Sequence, residues 1–388
     1  MNQPTVLHVI NSFAKNSFYV KLVGNLDGIG ISQIIYSATR TDKEATYSPT
    51  EISHLPIFCH NILKWYDVIF FRNKINKIFK DICKHINPDQ ISLTHAHTLY
   101  TDGAVAFNLK KVFNIPFIVA VRGGDIKAFN KLRPDLVLIR NEVLMQAEKI
   151  IFLTPFYRDL FLSQLNGKIR KKVSDTCTVI PNGIDAIYLE SGKELDRELK
   201  KKSMSSNNPE LKLLYVGRFL KQKNIPKLIE AVARLSKKKH VTLTIVGEGG
   251  DQEEKVKQMF TSKKYPFITY LGNIQNKEQL LNLYRSHDIF VMVSWQETFG
   301  LVYAEALSQG VPVVLASGEG LDGYFEENSI TEKVQNPHDI NEIAQAIERL
   351  SNRLGTSLSK KCIDESKQFN WPDLSKKYKE MYTSLSNK

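Results

Sequence analysis

Cysteine is scarce in this chain. Four thiols, Cys59, Cys83, Cys177 and Cys362, are spread over 388 residues, and no two stand in CxxC spacing. That argues against a zinc site and a disulfide framework, and it predicts a reducing, cytoplasmic setting. No apolar run approaches the ~18 residues that a membrane-crossing helix needs. The opening MNQPTVLHVI lacks the basic and long apolar regions of a signal peptide and reads as a buried first strand. Two signatures of phosphate chemistry are missing as well: no GxGxxG follows the first strand or stands in the glycine turn at 245–250, and there is no Asp-x-Asp.

Positive charge, by contrast, is plentiful. The net charge of +12 is spread over both halves. It attracts nucleic acid, anionic membranes or phosphorylated substrates and by itself chooses none of them. No nucleic-acid-binding motif accompanies it, so no nucleic-acid partner is expected.

Short apolar, β-branched runs alternate with helical patterns. Strands are predicted at 5–10, 33–39, 91–95, 116–122, 150–154 and 177–180, then at 211–217, 241–247, 268–272, 289–294 and 311–316. Near-continuous apolar runs suit parallel strands covered on both faces. The expected class is α/β, with two Rossmann-like, doubly wound parallel-sheet domains facing a cleft. The first spans 1–187 and the second 211–370. A polar linker at 188–210 joins them, and a helix at 371–388 completes the first.

Three constellations follow predicted strands at their carboxyl ends, where open parallel sheets bind ligands. In VGRFLKQKN (216–224), Arg218 and Lys223 flank a helix start, as two cations for a diphosphate would. Alone, such a pair is usually just solvated. IVGEGG (245–250), with Gly247, is a glycine turn for which a structural role is at least as good a reading as a phosphate contact. In ETFGLVYAEALSQGVPVV (297–314), Gly300 opens a helix. Glu297 then stands on the preceding loop and Glu305 just over one turn in. Free amides at the helix start suit a phosphate, and the carboxylates suit sugar hydroxyls. The bland alternative is two surface glutamates favoured by the helix dipole.

Together with PNGID (181–185), these motifs resemble glycosyltransferase family 4 in kind and order over roughly 177–316. The resemblance implies the GT-B fold and retaining transfer from a nucleotide-sugar, a UDP-sugar first among them, with no further cofactor. Arg218 and Lys223 would hold the diphosphate in place of a metal. Glu305 would take the ribose and Glu297 the donor sugar. The amides of Gly300, Leu301 and Val302 would cradle sugar and phosphate, and the loop at Asn273 and Ile274 would lie against the base. The acceptor would be a glycan or lipid-linked molecule of bacterial surface polysaccharide or glycoconjugate synthesis.

The first half carries the acceptor-side candidates. LTHAHT (93–98) places His95 and His97 at a strand end, expected to point to opposite sides, with His97 the candidate facing the cleft. VRGGD (121–125) offers Arg122, where relatives have histidine, and Asp125. The turn NSFAKNSF (11–18) lacks the glycines relatives often have there. Residues 64–86 read as one helix whose core face is Trp65, Val68, Ile69, Ile75, Ile78, Phe79 and Ile82. Phe70 and Phe71 would then lie outside, among Arg72, Lys74, Lys77 and Lys84, and KIRKK (168–172) adds basic charge. Such a surface suits peripheral contact with an anionic membrane on its cytoplasmic side. A catalytically silent GT-B partner and a nucleotide-sugar epimerase are the competing readings.

Overall fold

The computed structural model describes residues 4–15, 17–46, 49–129, 133–191 and 210–386. Most of the expected linker, 192–209, therefore lies outside the described residues. The chain divides into two compact units. One comprises 1–153, 157–181 and 371–388, and the other 154–156 and 182–370.

The first unit holds a parallel sheet of seven strands: β1 (Thr5–Val9), β2 (Ser32–Thr39), β3 (Ile57–Asn61), β4 (Leu93–Ala96), β5 (Phe117–Val121), β6 (Lys149–Phe152) and β7 (Cys177–Val179). Their order is β3-β2-β1-β4-β5-β6-β7. The second unit holds β8 (Glu210–Val216), β9 (His240–Val246), β10 (Ile268–Tyr270), β11 (Ile289–Met292), β12 (Val313–Ala316) and β13 (Thr331–Val334), in the order β10-β9-β8-β11-β12-β13. Both halves are thus doubly wound α/β sheets, as the apolar runs predict. The two strands absent from the prediction, β3 (IFCHN) and β13 (TEKV), are edge strands. Neither presents an apolar run: IFCHN carries His60 and Asn61, and TEKV carries Thr331, Glu332 and Lys333.

Helices cover both faces of the first sheet. Trp371–Ser386 packs beside Ser17–Asp27, and Trp371, Leu374, Tyr378, Tyr382 and Leu385 join Val6, Phe18, Leu22 and Ile118 in one apolar layer. Their spacing of three and four residues sets one stripe of the helix against the sheet. On the other face, Phe71–His85 buries Phe71, Ile75, Ile78 and Ile82.

That helix corrects the reading of 64–86. The segment is a 3-10 turn, Trp65–Val68, followed by a helix that starts only at Phe71. Phe70, at φ −87° and ψ 64°, breaks the helical phase between them. The core stripe therefore begins at Phe71, which is 5% exposed, while Trp65 at 76%, Ile69 at 66% and Phe70 at 57% face solvent. Lys74 and Lys77 turn inward, to the Thr101 hydroxyl at 2.9 Å and the buried Asp67 carboxylate at 2.7 Å. No helix among the described residues is long and apolar enough to cross a membrane.

The C-terminal stripe gives a stability prediction. Leu374 is wholly buried, and a Leu→Ala truncation at such a site costs about 2–5 kcal/mol. Leu374→Ala should lower the urea midpoint of the first unit, followed by circular dichroism. An unchanged midpoint would mean that this helix adds nothing to the core.

Candidate functional site

In the second sheet the strand order reverses between β8 and β11. The chain leaves these two neighbours toward opposite sides, which opens a crevice at their carboxyl ends. The loop 217–224 follows β8, and the loop 293–300 follows β11.

The two loops are tied together through one carbonyl. Gln222 O accepts the Ser294 hydroxyl at 2.8 Å and the Trp295 amide at 3.0 Å. Asn224, buried and left-handed at φ 60°, donates its side-chain amide to Val293 O at 3.3 Å and also to Pro337 O. Asparagine tolerates that backbone region better than most residues. The consequence is an ion pair between Lys223 Nζ and Glu297 Oε2, both partly buried. Arg218 stands exposed on the same loop.

A second tie holds Glu297 from behind. Its amide donates to Glu319 Oε2 at 2.8 Å, and its carbonyl accepts the Gly320 amide at 2.8 Å. The chain then passes through Gly300, at φ 71°, into the helix Leu301–Ser308. A Cβ at Gly300 would lie 2.5 Å from the Tyr303 ring. That ring is anchored by its hydroxyl, which donates to Met292 O at 2.6 Å. Glycine is thus required both by backbone angle and by space. Glu305 lies one turn on, where its Oε2 accepts the Tyr284 hydroxyl at 3.0 Å.

Gly247, expected at the donor, has a structural duty. At φ 132°, a Cβ there would come within 2.0 Å of Gly217 O, so the loops after β8 and β9 touch backbone to backbone. Asn273 and Ile274 lie on the loop following β10, Asn273 exposed and Ile274 half-buried.

The first sheet reverses between β1 and β4, and its candidates gather at those strand ends. His95 and His97 do not point to opposite sides: their rings stack at 3.9 Å. Side chains two apart share a face of a strand, which corrects the expectation. His97 is wholly buried, 3.0 Å by Nε2 from His8 Nδ1, and His95 Nδ1 lies 2.8 Å from the Tyr382 hydroxyl. Burial holds His8 down to about 3, and both others well below the usual imidazole range. The three are therefore neutral at pH 7.

Asp125 ties two loops. Its Oδ2 accepts the Arg122 amide at 2.8 Å and the Leu99 amide at 3.2 Å, and burial raises its carboxyl to about 6. Arg122 donates by Nε to His97 O at 3.2 Å, with its guanidinium over the Phe18 ring. Nearby, Asn11 donates to Asp102 Oδ1 at 2.5 Å, and burial lifts Asp102 to about 7.

The family Glycosyl transferases group 1 matches residues 196–369. An uncharacterised glycosyltransferase of Methanocaldococcus jannaschii is 26% identical over 309 residues, 76% of this chain and 75% of that protein. Sucrose-phosphate synthase from Thermosynechococcus elongatus superposes with a TM-score of 0.74 at 20% identity, over 99% of each chain. The chain has the GT-B fold, and its second unit matches a glycosyltransferase family. A structure of Anabaena HepE in complex with UDP is also similar, with a TM-score of 0.71 at 15% identity over 98% of this chain and 100% of that one. Alpha-monoglucosyldiacylglycerol synthase of Acholeplasma laidlawii is 30% identical over 41% of this chain and 40% of its own.

Both switch points hold polar residues that the sequence did not single out. Asn224, Tyr284 and Glu319 support the loops after β8 and β11, and His8, Asn11 and Asp102 stand at the first switch point. Only Asn224, between a lysine-rich turn and Ile225-Pro226, carried a local signal. The others are recognisable only by what they touch.

Gly300→Ala should lower the melting temperature, because a strained backbone position of this kind costs about 1–3 kcal/mol and the Tyr303 ring must also move. Nucleotide binding by calorimetry should weaken with it. Wild-type melting and binding together would show that the glycine is dispensable.

Proposed function

We propose that this chain is a retaining glycosyltransferase of the family 4 type, moving a hexosyl group from a UDP-sugar to a glycan or lipid-linked acceptor in bacterial surface polysaccharide or glycoconjugate synthesis. The observation that carries the reading is the Lys223–Glu297 pair beside Arg218 at the β8/β11 switch point, next to the helix start at Gly300.

In this reading the Lys223–Glu297 pair opens to receive the donor. Lys223 and Arg218 take the diphosphate, with charge-assisted bonds that strengthen as the nucleotide leaves. Glu297, released from Lys223, accepts hydroxyls of the donor sugar. The amides of Gly300, Leu301 and Val302 face sugar and phosphate, and Glu305, steadied by Tyr284, takes the ribose. Retention follows if the departing diphosphate accepts the acceptor's proton on the same face of the sugar. With no Asp-x-Asp in the chain, the cations replace a metal at this step. The similarity to a protein whose structure holds UDP supports a uridine donor. In the first unit, His97, Arg122 and Asp125 shape the acceptor side, the first and last from buried positions.

Membrane contact belongs to the same reading. Trp65, Val68, Ile69 and Phe70 form an exposed apolar turn with Lys64 and Arg72 beside them. A cytoplasmic enzyme resting on the inner face of the membrane would meet a lipid-linked acceptor there. The similarity to a monoglucosyldiacylglycerol synthase agrees with that placement.

The glutamates separate sugar from nucleotide. Glu305→Gln should weaken binding of free UDP about ten- to a hundredfold, the worth of a charged hydrogen bond of roughly 1.5–3 kcal/mol. Glu297→Gln should leave UDP binding near wild type, while turnover of the complete donor falls for both. Normal turnover in both variants would remove the main support for the assignment.

The turn at 65–70 is tested by sedimentation with vesicles. The enzyme should pellet with phosphatidylglycerol vesicles, less so at high salt as lysine and arginine contacts are screened. Trp65→Ser with Phe70→Ser should reduce pelleting several-fold. Pelleting equal to wild type, or none from either protein, would exclude this surface.

A further inference from the structure

A second cluster of titratable side chains lies in the first unit, apart from either switch point. His60 is on β3, the edge strand of the sheet, and Asp81 and His85 are on the helix Phe71–His85. Residues four apart on a helix share one face, so Asp81 and His85 stand one above the other. The neighbouring strand brings His60 to them. His60 Nδ1 is 2.5 Å from Asp81 Oδ2, and His85 Nδ1 is 3.4 Å from Asp81 Oδ1. The two imidazole rings lie 4.5 Å apart, centre to centre.

We propose that His60, Asp81 and His85 form a zinc site that clips the edge strand β3 to the helix Phe71–His85. Two imidazoles and one carboxylate are the borderline donor set that zinc takes, with water in the fourth position. One atom from each of the three already lies within 4.8 Å of the others. A tetrahedral zinc with bonds of ~2.0–2.1 Å needs its ligand atoms ~3.4 Å apart. The remaining contraction is of the order of 1.4 Å, and the half-exposed His85 supplies it by turning about its side-chain bonds.

Two further features suit an ion. The carboxylate is held from behind, since Asp81 Oδ2 accepts the Tyr36 hydroxyl at 2.7 Å. Such a partner fixes the orientation of a ligating group. The three side chains are also 27%, 15% and 35% exposed, so an ion can reach them from solvent. In the empty cluster a proton bridges His60 Nδ1 and Asp81. Zinc would take that proton's place on the Nδ1 lone pair, and the proton would pass to Nε2, so the imidazole stays neutral.

The site has a physical purpose. All five residues of β3 are only half-buried, and the strand has a neighbour on one side alone. A metal link to the helix would fix it beside the exposed turn at Trp65–Phe70. The scarcity of cysteine does not bear on this site, because none of its ligands is a thiol.

The test uses the untagged full chain, stripped with EDTA and dialysed, with zinc chloride as the probe. Calorimetry should show one equivalent bound. The melting temperature should rise with zinc. His60→Gln and His85→Gln should each weaken binding at least tenfold and abolish the rise, while the exposed His54→Gln should change neither. Circular dichroism of each variant shows that it is folded. No heat and no melting shift in the wild-type chain would overturn the proposal. So would undiminished binding in the folded double variant His60→Gln/His85→Gln, or an equal loss in His54→Gln.

Discussion

The carbonyl of Gln222 is the hinge on which the arrangement at the β8/β11 switch point depends. Strands β8 and β11 are neighbours, but the chain leaves them in opposite directions, so nothing in the sheet itself keeps their loops together. Two hydrogen bonds to this one oxygen do so, and Asn224 adds a third link to the same loop. Only then do Lys223 and Glu297, 74 residues apart in sequence, meet as a partly buried pair. Burying one of those charges without the other would be expensive. The cation and the carboxylate are therefore held against each other.

Glycine positions set how tightly this arrangement closes. Gly247 lets the loops after β8 and β9 touch, and Gly300 lets the chain turn beneath Glu297 into the helix Leu301–Ser308. Two glutamates, Glu297 and Glu305, are then presented from a loop and a helix that cannot shift independently. Glu319 and Tyr284 hold them from outside the crevice. Rigid support of this kind keeps polar groups in place for charge that develops on the ligand.

The first unit solves the same topological problem with buried polar groups. His8, His95 and His97 fill the ends of β1 and β4, and Asp125 ties the loops after β4 and β5. The C-terminal helix seals the histidines through Tyr382. Because burial disfavours their charged forms, these imidazoles are neutral packing groups. Large apolar side chains that reach solvent lie elsewhere in this unit, on the turn at Trp65–Phe70 and at Val112, Phe113 and Leu138.

The sequence by itself determined the architecture. Apolar runs long enough for buried parallel strands, separated by helical patterns, specify a doubly wound sheet twice over, because a strand covered on both faces leaves no polar side to alternate. It also placed Arg218, Lys223, Glu297, Gly300 and Glu305 at strand ends, since local chain order decides that. What it left open was decided by contacts between distant residues. The edge strands β3 and β13 present no apolar run, since IFCHN carries His60 and Asn61 and TEKV carries Thr331, Glu332 and Lys333. A break at Phe70 shifted the helical phase, exchanging Phe71 into the core for Trp65 and Ile69. The partners Gln222, Asn224, Tyr284 and Glu319 have ordinary sequence neighbourhoods, and only the tertiary structure shows what their polar atoms hold. A hydrogen bond is made by position in space, and position in space is set by the whole sheet.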